Sequence, residues 1–102
     1  MIEELREEID EIDEQILELL NRRAELAVSI GQVKTERSLP LVDEEREREL
    51  LEELTGENPG PLPEEAVARI FKRIVEETRE FELNEIEGSP SSEMERQGGR
   101  GR

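Results

Sequence analysis

Eight polar residues of this chain fall on or beside apolar helical stripes: Arg6, Arg23, Lys34, Asp43, Arg46, Glu47, Thr78 and Glu82. They supply cations, carboxyls and one hydroxyl. The 102 residues include no Cys and no His, which excludes disulfides, thiolate chemistry, zinc-type sites and imidazole acid–base catalysis. Such a set can hold a small anion and stabilise charge that develops on it. It suits a reaction that needs orientation and electrostatics rather than covalent steps, and a unimolecular rearrangement of a dicarboxylate fits. Each residue has a plainer reading as well. Arg23 can fix the register of a helical seam, Asp43 can cap a helix, Arg6 can be a solvated cation, and the others can snorkel. Four inward cations on a chain of net charge −15 favour an anion site over eight separate accidents.

Spacing sorts these cations. Arg23 and Lys34 are eleven residues apart, about 16 Å along a helix and nearly on one face, so two long side chains can converge on one ligand. Arg6 lies about 25 Å from Arg23 on the same rod and can join that site only from an antiparallel partner chain.

The element that must position them runs from Ile2 to about Thr35. Its apolar residues, Ile2, Leu5, Ile9, Ile12, Ile16, Leu19, Leu26, Ile30 and Val33, recur at alternating steps of three and four, the seam of a helix that packs lengthwise on another. Arg23 takes the slot between Leu19 and Leu26. A helix of this length spans about 50 Å, whereas a compact monomer of this size has a radius of gyration of about 13 Å. The chain cannot cover such a rod, which calls for a partner. Residues 35–42, with Ser38 and Pro40, read as a loop. Asp43 is the expected N-cap of a short second helix from Glu44 to about Leu54. Gly56 through Pro61 reads as a breaker. A third helix starts near Pro63 and reaches about Ile86, with Val67, Ile70, Phe71, Ile74, Val75 and Phe81 on its apolar face, Thr78 and Glu82 beside them, and Gly88 at its end. The expected fold is therefore all-α, with one long, one short and one medium helix per chain in an intertwined homodimer. Residues 1–87 form the domain. Residues 88–102 read as a disordered tail whose Gln97–Arg102 end faintly suggests an RNA-binding Arg-Gly segment, a plain tail being the better reading.

Composition narrows the class further. Aromatics are 2%, all Phe, so there is no stacking platform for bases or sugars, and the acidic balance opposes binding along a nucleic-acid backbone. Charged residues are 42%, a figure also met in disordered chains, but sustained heptads over residues 2–86 argue against that. No apolar run approaches a membrane span or a signal segment, and the expectation is a soluble cytoplasmic protein.

The run Leu5-Arg6-Glu7-Glu8-Ile9-Asp10-Glu11-Ile12-Asp13 resembles the start of the all-helical, intertwined-dimer class of chorismate mutases. So do Leu19-Leu20-Asn21-Arg22-Arg23-Ala24-Glu25-Leu26-Ala27 and Ile30-Gly31-Gln32-Val33-Lys34, and Pro40-Leu41-Val42-Asp43-Glu44-Glu45-Arg46-Glu47 is similar to that family's second-helix motif. The resemblance spans about Ile2 to Leu83. It implies conversion of chorismate to prephenate, a step toward phenylalanine and tyrosine, without cofactor or metal. By position it implies that Arg6 of a partner chain, Arg23 and Arg46 hold the two substrate carboxylates. Lys34 would bind a carboxylate and the ether oxygen of the breaking bond, and Glu47 with the backbone at Asp43 would take the ring hydroxyl. Thr78 stands where the family often has Ser, a carboxylate contact. Glu82 stands where many members have Gln, which donates a hydrogen bond to the ether oxygen. A glutamate can do so only when protonated, so this departure bears on the pH range of activity rather than on the fold. Two rivals remain open: an isochorismate-pyruvate lyase, which resembles the same family, and a non-catalytic helical dimerisation module whose seam polars only fix register.

Overall fold

A computed structural model describes residues 1–88, and the expected tail lies outside the described residues apart from Gly88. Three helices follow one another: α1 (Ile2–Glu36), α2 (Glu44–Glu57) and α3 (Glu64–Glu87). Among the described residues there is no strand, so the all-α expectation holds. α3 packs on both other helices, whereas α1 and α2 scarcely touch. The molecule measures 51 × 37 × 18 Å, its long axis matching the length of α1, and its radius of gyration is 17.0 Å. That is well above the roughly 13 Å of a compact chain of this size.

The ends of the helices follow local chemistry. α1 begins with Glu3 and Glu4 in its first turn and carries Lys34 in its last, both favourable to the helix dipole. It closes in a Schellman motif: Leu39 N–H donates to Lys34 O at 2.7 Å and Ser38 N–H to Thr35 O at 3.1 Å. Ser38 takes the left-handed position (φ 57°) that glycine usually fills. Asp43 caps α2 as expected, its carboxylate accepting from Arg46 N–H at 3.0 Å. α2 runs three residues beyond its expected end. Gly56, read as part of the breaker, lies inside its last turn, where the Thr55 hydroxyl donates back to Leu51 O at 2.6 Å. The chain turns only at Asn58, whose side chain donates to Leu62 O and accepts from Gly60 N–H. Pro63 is the N-cap of α3 rather than its first helical residue, and Gly88 ends α3 without a left-handed turn (φ −46°).

Packing within the chain leaves the seam open. α3 does not sit on the Leu26, Ile30, Val33 stripe, which stays exposed. It covers the neighbouring stripe of Ala24, Ala27, Val28 and Gly31, where small side chains let the helices approach. Residues 2–22 of α1 are exposed throughout, including every apolar residue of the seam. The core of the single chain is correspondingly thin, and among the described residues Val75 is its one buried apolar side chain. Beside Val75 the other two buried residues of α3 are polar, Thr78 and Glu82. No helix among the described residues is long and apolar enough to cross a membrane.

Candidate active site

A cavity of about 440 Å³ opens where the last turns of α1, the first turns of α2 and the middle of α3 meet. Seven of the eight polar residues singled out in the sequence line it: Arg23 and Lys34 from α1, Asp43, Arg46 and Glu47 at the start of α2, and Thr78 and Glu82 from α3. Leu26, Ile30, Leu41, Leu50 and Val75 supply apolar wall. Arg6 is not among them. It lies on the projecting, exposed half of α1, as its distance along the rod requires.

Each helix presents its residues by period. Arg23, Ala27, Ile30 and Lys34 follow one another at four, three and four along α1. Val75, Thr78, Arg79 and Glu82 form the i, i+3, i+4, i+7 set of α3. Asp43 serves as cap and wall at once, because capping fixes the first turn of α2 that carries Arg46 and Glu47.

Hydrogen bonds pre-set several of these groups. Lys34 Nζ donates to Leu41 O at 3.3 Å, so the last cation of α1 also ties down the following loop. Glu47 accepts from Arg79 Nη1 at 2.8 Å, and both side chains are partly buried. This pair joins α2 to α3 across 32 residues of sequence. Thr78 Oγ1 donates to Ile74 O at 2.6 Å within its own helix. To serve an anion in the cavity, the hydroxyl must turn its hydrogen away from that carbonyl.

Glu82 is the odd member. It is 9% exposed, and its Oε2 is buried without a hydrogen-bond partner among the described residues. Burial pushes its pKa above the ordinary carboxyl value; Lys34 pulls it down and Glu47 pushes it up. An unpaired buried carboxylate is costly, so this environment favours the neutral acid, which can donate.

The charge balance of the cavity depends on that proton. Arg23, Lys34, Arg46 and Arg79 stand against Asp43, Glu47 and Glu82, four cations to three acids. Protonating Glu82 makes it four to two, on a chain of net charge −15. The arrangement can therefore attract a small anion and place an acid and an ammonium near one atom of it.

Two participants were missed by the sequence reading. Arg79 completes the α3 period with Val75, Thr78 and Glu82, a signal that was present, but its pairing with Glu47 is a tertiary event. Gly31 is the only buried residue of α1, and its signs were a glycine inside an otherwise unbroken helical pattern and its place in the Ile30–Lys34 motif.

Comparison with known proteins bears on the chain as a whole. The profile of the family described as chorismate mutase type II matches residues 5–83. A bifunctional chorismate mutase/prephenate dehydratase of Aquifex aeolicus is 46% identical over 78 residues, covering 72% of this chain and 22% of that protein. The corresponding protein of Neisseria gonorrhoeae is 43% identical over 72 residues, 71% of this chain and 19% of that one. The chain thus spans about a fifth of the length of these curated relatives. A solved chorismate mutase of Thermus thermophilus superposes with a TM-score of 0.74 at 44% identity, over 76% of this chain and 96% of that chain.

Proposed function

This chain belongs to the chorismate mutase type II family, and we propose that it rearranges chorismate to prephenate in a site completed by a second copy of itself. One observation carries the proposal: cations, a hydroxyl and a buried acid from all three helices line one cavity in a chain otherwise strongly acidic. The reaction needs no covalent intermediate. One ether C–O bond breaks as a C–C bond forms, and the site must hold the side chain folded over the ring while charge develops on the ether oxygen.

In this reading Arg23, Arg46 and the partner's Arg6 hold the two carboxylates, and Thr78 contacts one of them. Lys34 spans a carboxylate and the ether oxygen. Glu82 in its protonated form donates to that same oxygen, while Glu47 and the backbone at Asp43 receive the ring hydroxyl. Arg79 keeps Glu47 oriented for that task, which their 2.8 Å contact supports. Residues 1–87 act as one domain in a homodimer. The exposed apolar half of α1 supports that state, since a second antiparallel α1 would cover the seam and bring Arg6 over the neighbouring cavity. The proposal takes in a cytoplasmic setting, no cofactor, and a small molecule as the only substrate, apart from nucleic acid and membranes.

The test is direct. Purified protein is incubated with chorismate, and the loss of its ultraviolet absorbance is followed with prephenate as the product. No turnover at micromolar protein refutes the proposal. Pyruvate released from isochorismate, with chorismate untouched, would replace it with the lyase.

A further inference from the structure

Gly31 sits in regular helix, where glycine is less favourable than alanine and no backbone conformation demands it. The demand comes from α3. A Cβ built at Gly31 would stand 2.7 Å from Glu82 Oε2, 3.1 Å from Glu82 Cγ and 2.9 Å from Ile86 Cγ1. All three are inside the roughly 3.5–4.0 Å separation that carbon contacts prefer. The nearest atom is the buried, unpartnered oxygen of Glu82, the acid that lines the cavity.

We propose that Gly31 is a positioning residue for Glu82: its missing side chain is the seat in which the Glu82 carboxyl lies against α1, at the wall of the cavity. The residue at position 31 thereby sets where the acid sits and how dry its surroundings are. A methyl group there displaces the flexible carboxyl first, outward into the cavity, because the other contact is to a branched apolar side chain on the same helix. The charged groups around the acid stay as they are: Arg23 and Lys34 from α1, Asp43, Arg46 and Glu47 from the start of α2, and Arg79 from α3. What changes is burial, the leading cause of the raised pKa of Glu82. Losing it favours the ionised form.

The seat rests on the chorismate reading only in its effect on turnover, so the deciding measurement uses no substrate. The Glu82 Cδ resonance of the full chain is titrated by carbon-13 NMR in the wild type and in Gly31→Ala. The expected result is a wild-type midpoint above the ordinary carboxyl value of about 4.3 and a lower midpoint in the variant. The acid limb of chorismate turnover should move down with it. A midpoint that falls by about one pH unit leaves about a tenth of the protonated fraction at pH 7. An unchanged Glu82 midpoint in Gly31→Ala overturns the seat, whatever the activity. Should Gly31→Ala fail to fold, Gly31→Ala/Ile86→Ala relieves the second contact and is compared with Ile86→Ala alone. Equal midpoints in that pair overturn the seat too. A wild type inert toward chorismate would refute the function while the titration still decided the seat.

Discussion

The two halves of α1 carry the same three-and-four apolar rhythm, yet they meet different fates. Residues 2–22 are exposed along their whole length, with Ile9 at 55% and Ile12 at 52%. From Arg23 onward the helix is covered on one side and forms a wall of the cavity. The seam residues do not make the difference, for Leu26, Ile30 and Val33 remain exposed as well. What distinguishes the second half is the adjoining stripe of Ala24, Ala27, Val28 and Gly31. In the first half the corresponding positions up to Glu14 are all charged, among them Arg6 and Asp13, and they stay exposed. The small residues beside the seam thus say where the chain's own helix docks, while the long apolar seam is left to the second copy proposed above.

Substitutions in the two halves sharpen this contrast. The largest effect is expected for the arginines. Arg23→Ala in the covered half and Arg6→Ala in the exposed half should each lower turnover at least about a hundredfold, the scale of losing one charge-stabilising donor. If the halves serve a shared site, refolding the two variants together makes half the dimers mixed, each with one intact site. Activity then returns to about a quarter of wild type by that symmetry. Absence of recovery, with chain exchange demonstrated, breaks the link between the halves.

Next in size is the exposed seam itself. Surface substitutions usually change stability by no more than about 0.5 kcal/mol, whereas Ile→Ala in a packed core costs about 2–5 kcal/mol. Ile9→Ala and Ile12→Ala should fall in the second range, with a midpoint of unfolding that depends on protein concentration. Changes within the surface range, measured by denaturant titration, would mean that no second chain covers this half.

Glu82, in the wall of the covered half's cavity, predicts a pH dependence. Burial raises its pKa in the folded state, so the fold favours the protonated acid. That contribution to stability is fully present below the unfolded-state value of about 4.3 and is lost as pH rises through the higher folded value. Glu82→Gln should therefore be more stable than wild type at neutral pH, with the advantage vanishing in acid. Turnover of the wild type should rise as pH falls below neutral. Glu82→Gln should remove most of that rise and keep the neutral rate at least as high, because an amide donates at any pH. Superimposable pH profiles of the two proteins would dissociate Glu82 from the ether oxygen.

The smallest effect lies just past the covered half. Ser38 holds a left-handed backbone at the close of α1, and Ser38→Gly should stabilise the fold by about 0.5–1 kcal/mol with turnover unchanged. Thermal unfolding that moves the other way would show that the serine side chain contributes something glycine lacks.

How much of this was legible follows from the kind of signal each residue gives. Periodicity is a local property, so the three helices, the Asp43 cap and the inward faces of Arg23, Lys34, Thr78 and Glu82 could be read directly. Gly56 was misread because two prolines stand close behind it, and composition does not say which residue of a breaker run turns the chain. The Glu47–Arg79 contact and the seat at Gly31 depend on how α3 crosses two other helices. No spacing within one helix encodes a crossing.

Because α1 and α2 scarcely touch, α2 is held to the rest of its own chain chiefly by its contact with α3. Amide hydrogen exchange should expose this hierarchy. The amides of α3 around Val75 to Glu82 sit between both neighbours and should exchange only with global unfolding. Those of α2 can exchange through a smaller opening in which that helix swings off α3 and the Glu47–Arg79 ion pair parts. Such an opening carries Arg46 and Glu47 away while Arg23, Lys34 and Glu82 stay in place, so one wall of the cavity can serve as its door.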